Sequence, residues 1–249
     1  MDHTNRFDGK GEIYAKARPK YAGALLDYLM QTCAIVAGSV IADVGSGTGI
    51  LTEQLLQAGY RVFAVEPNGD MRRKAEEKLS RNENFVSVDG RDSDMKLPDR
   101  SVDAVTAAQA FHWFDAEAFR KECRRVLRPA GRVILVYNSR DESADCTRAL
   151  AALRQKYNPE FHGFSNGISD GKCRAFFAGA CDVFRAGNTQ VYGREDYIRR
   201  VLSSSYSLGE GDGRYGEYLR EIGEIFDRFS VDGRICVPTE TVAYIGRVE

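Results

Sequence analysis

The chain has 249 residues, enough for one α/β domain with room for a sizeable insertion. Hydrophobic residues at 43% and charged residues at 29% predict a globular chain that buries a real core. A net charge of −1 gives no overall footprint for nucleic acid or an anionic surface, and no run reaches the ~20 apolar residues of a membrane span.

Residues 1–18 are polar and of mixed charge, and read as an arm; they lack the apolar core of a signal peptide. Pro19 can open a helix at its first turn, and Leu25, Leu26, Leu29 and Met30 recur at helical spacing. Val40–Val44 is a buried strand, followed by a helix to about Ala58 with Gly59 as its stop. Val62–Val65 is the second strand, and a charged helix runs from about Gly69 to Leu79. Phe85–Val88 and Val102–Ala107 are the third and fourth strands. Asp115 caps a helix to about Leu127, with Pro129 and Gly131 ending it, and Val133–Tyr137 is the fifth strand.

The pattern changes after Asn138. Residues 141–182 read as helices and irregular loop, Val183–Tyr192 as one strand, and Glu195–Leu202 as a helix. Tyr215, Tyr218, Leu219, Ile222, Ile225, Phe226 and Phe229 form a strong amphipathic face, and Val242–Val248 is a closing strand. Short apolar strands alternating with helices predict a Rossmann-like, doubly wound, mostly parallel α/β sheet. One domain over 1–249 is expected. It would comprise an arm and lead-in helix (1–36), a core (37–140), a helical lid with a returning strand (141–236) and the closing strand (237–249). Ligands of such sheets sit beyond the carboxyl ends of the strands, so the junctions at 45–49, 66–68, 90–93, 108–114 and 138–140 should converge.

The sharpest signal is VIADVGSGTGIL, residues 40–51. Glycines at 45, 47 and 49 let the backbone turn sharply and bring the main chain close to a ligand. The helix that follows offers unpaired N–H groups. A dinucleotide fingerprint needs a small residue where Ile50 stands, and a purely structural turn is the bland alternative. Glu66 ends the second strand 21 residues after Gly45, where a carboxylate can accept from both hydroxyls of a ribose. Together the two features favour a nucleoside-bearing cofactor.

VIADVGSGTGILTEQL and VFAVEPNGDM resemble the first two cofactor motifs of class I S-adenosyl-L-methionine-dependent methyltransferases. LPDRSVDAVTAAQAFHWFD and ECRRVLRPAGRVILVYNSR are similar to the methyltransferase type 11 group, in particular its trans-aconitate methyltransferase-like branch. YAKARPKYAGALLDYL matches the lead-in helix of that branch. The resemblance implies a seven-stranded sheet whose last strand is antiparallel. It also implies that Asp43, Gly45, Ser46, Gly47, Thr48 and Gly49 line the methionine and ribose of the cofactor. Glu66 would hold the ribose, with Pro67, Asn68 and Met71 beside the adenine. Arg91, Asp92 and Ser93 would cover the adenine edge, where relatives usually carry Thr-Ala-Glu. Gln109 would approach the methionine end, and Tyr14 and Arg18 would close over it.

His112 and Trp113 lie in an aromatic run that is either substrate-side, with His112 a candidate general base, or a helix start packed into the core. Asn138 and Arg140 fall on the expected substrate side. Arg174, Arg194 and Arg199 in the lid could bind a carboxylate, though each singly reads as a solvated surface residue. No metal site is expected, because the six cysteines and three histidines show no ligand spacing. The expectation is a cytoplasmic enzyme that methylates a small molecule, possibly a carboxylate, with no nucleic-acid or membrane partner. A nucleic-acid methyltransferase is disfavoured by charge and by the absence of an Asn- or Asp-Pro-Pro-aromatic motif. A non-catalytic binder of the cofactor is the other alternative.

Overall fold

The computed structural model describes residues 18–164, 170–204 and 206–248. Helix α1 (Ala24–Thr32) leads into β1 (Val40–Val44), α2 (Ile50–Gln57), β2 (Arg61–Val65), α3 (Gly69–Leu79) and β3 (Phe85–Val88). Then come β4 (Val102–Ala108), a 3₁₀ turn (Phe111–Trp113), α4 (Ala116–Val126) and β5 (Leu127–Arg140). The remainder is α5 (Asp145–Tyr157), α6 (Asp170–Phe176), β6 (Cys181–Gly187), β7 (Gln190–Tyr192), α7 (Arg194–Leu202), α8 (Tyr215–Phe229), β8 (Ile235–Val237) and β9 (Thr239–Gly246).

The sheet has seven strands in the order β3-β2-β1-β4-β5-β9-β6. The first four pairings are parallel, and β9 runs antiparallel to both β5 and β6. Its two faces carry two cores. Val44, Val105, Val133, Leu135 and Phe119 lie in one, and Ile41, Ala104, Ile134, Leu29 and Leu55 in the other. The alternation along β5 is the period-2 pattern of a strand covered on both faces.

Three expectations change. Helix α1 starts at Ala24, not at Pro19. The Tyr21 amide donates to Gln54 Oε1 at 2.9 Å and the Ala22 amide to Thr241 Oγ1 at 2.9 Å. Those side chains take the amides that a first helical turn would leave unpaired, so the chain crosses the strand ends before it coils. Helix α4 ends at Val126, and β5 begins at once at Leu127, ahead of Pro129 and Gly131. A register shift at Val102/Ala104 absorbs the irregular Pro129–Gly131 stretch.

The third change concerns Val183–Tyr192, which is two strands. β6 is the edge of the main sheet, whereas β7 pairs with β8 in a separate two-stranded ribbon. The break falls at Asn188. Its amide still bonds Thr239, while its side chain turns in to Asn138 and Thr241. Segment 141–236 therefore divides. Cys173 and Phe176 of α6 pack into the sheet's own core. Leu150 of α5, Tyr197 and Val201 of α7, Tyr218 and Ile222 of α8, and Ile235 and Val237 of β8 build a third core of their own. Among the described residues, no helix is long and apolar enough to cross a membrane.

Candidate functional site

The carboxyl ends of β1, β2, β4 and β5 and the loop after β3 open onto one cavity of about 450 Å³. That is within the range of a small-molecule site. The glycine turn forms one wall. Gly45, Gly47 and Gly49 all hold positive φ, at 66°, 57° and 79°. A Cβ on Gly45 would stand 2.7 Å from the Ala110 Cβ, and one on Gly49 would stand 2.7 Å from Leu79 Cδ1. A Cβ on Gly47 would meet nothing within 4 Å. Gly45 and Gly49 are thus demanded by packing as well as by conformation, and Gly47 keeps the cavity wall bare.

Glu66 is 8% exposed and joins two loops. Its carboxylate accepts from the Gly47 amide and from the Asn68 amide, each at 2.9 Å. Burial raises its pKa, against the pull of those two amides. Asn68 in turn caps α3 by accepting from the Met71 amide at 3.0 Å. Asp43 lies deeper, 1% exposed, and accepts from the hydroxyls of Thr52 at 2.7 Å and Thr106 at 2.8 Å. Burial lifts its pKa to about 6, opposed by those two hydroxyls. Both its oxygens are engaged, so it braces the turn from below. Ser46 Oγ and Thr48 Oγ1 are buried with no protein partner among the described residues.

The remaining wall comes from Arg91, Asp92 and Ser93 after β3, and from Gln109, Trp113 and Phe114 after β4. Asp92 accepts from the Asp115 amide at 3.1 Å, and burial raises its pKa. Gln109 adopts φ 54° and donates to the Asn138 carbonyl at 3.0 Å, tying the ends of β4 and β5 together. A non-glycine residue in that region of backbone space is strained, and such strain gathers at working sites. Pro67, Met71, Asn138 and Arg18 also line the cavity.

Other candidates fall elsewhere. Tyr14 lies outside the described residues. Gly49 supports the turn from behind, against Leu79. His112 lines none of the cavities that Trp113 and Phe114 border. Its ring lies 4.6 Å from Trp113 and 6.4 Å from Tyr137, with a buried Nδ1 that has no partner among the described residues. Burial drives its pKa down to about 4, and the charges of Arg18 and Lys172 push the same way. It is a neutral imidazole at pH 7, in keeping with the core-side alternative.

Arg174, Arg194 and Arg199 pair with Asp170, Asp227 and Asp196 on the surface. Sequence reasoning missed Arg154 and Arg200, which together with Arg140 border a second, smaller cavity of about 70 Å³. A faint signal existed. Arg200 follows Tyr197 at helical spacing on the buried side of α7, one residue from the solvated Arg199.

The model for a methyltransferase domain matches residues 42–135, the span from β1 to β5 that carries this turn and Glu66. An uncharacterised methyltransferase of Geobacillus kaustophilus is 35% identical over 181 residues, which cover 72% of this chain and 73% of that protein. The chain belongs to the methyltransferase family. The cofactor of this group is S-adenosyl-L-methionine. An uncharacterised methyltransferase of Mycobacterium tuberculosis is 38% identical over 152 residues, 61% of this chain and 60% of that protein. The match therefore spans less than two thirds of that relative's length. Among solved structures, one from Anaeromyxobacter dehalogenans, provisionally assigned as a type II methyltransferase, superimposes with a TM-score of 0.66 at 22% identity. It covers 93% of this chain and 98% of that chain, a likeness of fold.

Proposed function

We propose that this methyltransferase transfers the methyl group of S-adenosyl-L-methionine to a small-molecule acceptor. The observation that carries the reading is the Gly47–Glu66 link at the rim of the cavity. It brings a bare backbone turn and an acidic strand end to one place, as a nucleoside with a charged amino-acid tail requires.

The residues fit such a cofactor. In this reading Glu66 receives the ribose hydroxyls on oxygens whose position two amides already fix. Ser46 and Thr48 offer buried hydroxyls to the polar tail, and Gly47 leaves the wall open for it. Pro67 and Met71 form the apolar side of an adenine slot, with Asp92 at its edge. When bound, the cofactor supplies a methyl group on a sulfonium, already activated for in-line displacement. The chain's own work is then to position the acceptor and exclude water, and alignment of this kind is worth about 7–11 kcal/mol.

Gln109 and Asn138 hold the acceptor end of the cavity in this reading, and His112, buried and neutral, serves that wall as packing. The bundle of α5, α7 and α8 covers the strand ends and reaches the cavity through Arg200, closing it to a small acceptor. Arg18 and Tyr21 cross the same mouth from the N-terminal side.

Titration calorimetry with S-adenosyl-L-methionine, S-adenosylhomocysteine and NADH tests the cofactor. Micromolar binding of the two adenosyl ligands alone is the expected result. Radiolabelled methyl transfer into low-molecular-mass material tests the acceptor. Transfer only into protein or nucleic acid would overturn the small-molecule reading.

A further inference from the structure

Arg72 of α3 reaches both loops that flank the proposed adenine slot, yet it lines no part of the cavity. β2 and β3 run parallel as far as Val65 and Val88, and the last rung between them is the Glu66 amide donating to the Val88 carbonyl at 3.1 Å. The next rung of a parallel ladder would bring the Gly90 amide to the Glu66 carbonyl. Arg72 takes that place, with its Nη1 donating to the Glu66 carbonyl at 2.8 Å. Gly90 turns away instead, packed so closely that a Cβ on it would stand 3.0 Å from Val65 Cγ1 and from the Asp94 and Met95 carbonyls.

The same guanidinium spans the gap where the two strands part. Nη1 also approaches the Pro67 carbonyl at 3.4 Å, and Nη2 donates to Asp89 Oδ2 at 3.2 Å. Pro67 and Met71 stand on one side of the slot, and Asp89 leads to Arg91, Asp92 and Ser93 on the other. The Arg91–Asp94 bridge closes that second loop on itself, so Asp89 at one end and the Asp92–Asp115 contact at the other fix where it stands. The Asp89 carboxylate is 72% exposed and the Arg72 side chain only 21%. Solvent weakens the ion pair, and the bond to the Glu66 carbonyl carries most of the hold. The neighbouring Arg73 offers a contrast, 60% exposed and paired only with Asp70 and Glu77 of its own helix.

Arg72 also bears on the charge of Glu66. Burial raises the pKa of that carboxyl and Asp43, at the end of β1, adds to the rise, while the Asn68 and Gly47 amides and the Arg72 charge oppose it. An ionised carboxylate is acceptor-only, and so can take both hydroxyls of a ribose. We infer that Arg72 is a positioning residue for the cofactor, which holds the β2 and β3 loops at the spacing of an adenosine and fixes Glu66 by its carbonyl. The inference rests on the cofactor reading and adds to it a residue that stands outside the cavity.

Calorimetry of the full chain with S-adenosylhomocysteine and with methylthioadenosine, which lacks the amino-acid tail, tests it from about pH 4.5 to about pH 8. Arg72→Met should weaken both ligands about tenfold or more and move the acid limb of binding to higher pH. Arg72→Lys keeps the charge and a donor, so its acid limb should stay in place and part of the affinity should return. Arg73→Met should bind like the unaltered chain, and Arg72→Gln serves where Arg72→Met does not fold. The inference is overturned if Arg72→Met binds both ligands normally or spares methylthioadenosine. It is equally overturned if affinity falls with the acid limb unmoved and without recovery in Arg72→Lys, the mark of general damage to the fold. Amide hydrogen exchange of the unligated chain gives an independent reading. The Gly47 and Asn68 amides, both held by Glu66, should exchange faster in Arg72→Met and slow again in Arg72→Lys, and equal rates in all three would overturn the inference. Failure of the unaltered chain to bind either ligand would instead strike the cofactor reading, and the exchange comparison would still decide whether Arg72 holds Glu66.

Discussion

The Glu66 carboxylate and the Gly47 amide meet at 2.9 Å across two loops that no covalent constraint joins. One oxygen holds the glycine turn and the other holds the Asn68 amide at the start of α3. The residue assigned to ribose binding is therefore also a brace for the apparatus around it. Glu66→Ala should leave two amides without an acceptor. We expect a loss of about 1–3 kcal/mol in stability together with at least tenfold weaker S-adenosylhomocysteine binding. Denaturant melts and calorimetry on one preparation check both. Weaker binding at unchanged stability would show that the brace contributes little.

Two glycines of the same turn should separate conformation from ligand access. Gly49→Ala meets Leu79 at 2.7 Å and must hold φ 79°, so it should cost about 2 kcal/mol or more. Gly47→Ala meets nothing, so its stability cost should stay near 1 kcal/mol. Its methyl group projects from the cavity wall, and cofactor affinity should suffer more than stability. Melting curves beside calorimetric affinities would reveal the opposite order if the assignment of Gly47 is wrong.

Asp43 should leave a mark on the pH dependence of stability. Burial lifts its carboxyl pKa to about 6 in the folded chain, from 3.8 for an ordinary aspartate. The folded state then holds the proton more tightly than the unfolded one. This contribution is complete below pH 3.8 and is lost as pH rises through 6. Asp43→Asn cannot ionise, so its stability relative to the unaltered chain should improve from pH 4 to pH 7.5, by on the order of 1–3 kcal/mol. A flat difference across that range would mean that Thr52 and Thr106 fully offset the burial.

His112 should titrate far below ordinary histidines. With its pKa near 4, the imidazole should show no NMR titration between pH 5.5 and 8. Burial of the neutral ring favours folding above pH 6.5, and that contribution is lost as pH falls towards 4. A midpoint near 6.5 would return His112 to consideration as a general base.

The sequence was most legible where one residue type answers one local demand. Alternating glycines between an apolar run and a helix identify the turn, because few other residues hold three positive φ angles so close together. An acidic residue at the end of the second strand, and Asp115 before α4, are local signals of the same kind. The spans of β1 to β4, α2 and α3 follow from hydrophobic period, since both faces of the sheet are covered, whereas the start of α1 and the α4–β5 boundary do not.

What the tertiary structure alone decided lies past Asn138 and in how side chains are shared between distant elements. No local rule predicts that Asn188 would bond Asn138 and Thr241 and so divide one strand between two sheets. Nor does any rule choose Arg200 over Arg199. The two are adjacent on one helix, yet Arg199 meets Asp196 in solvent while Arg200 faces Arg140 and Arg154 across a cavity. The physical reason is range. Propensity, capping and glycine conformation act within a few residues, whereas burial and electrostatic company depend on which helices settle against which strand ends. The sequence alone determined the α/β sheet and the glycine turn after β1. Packing decided which arginines border a cavity and which stay paired at the surface.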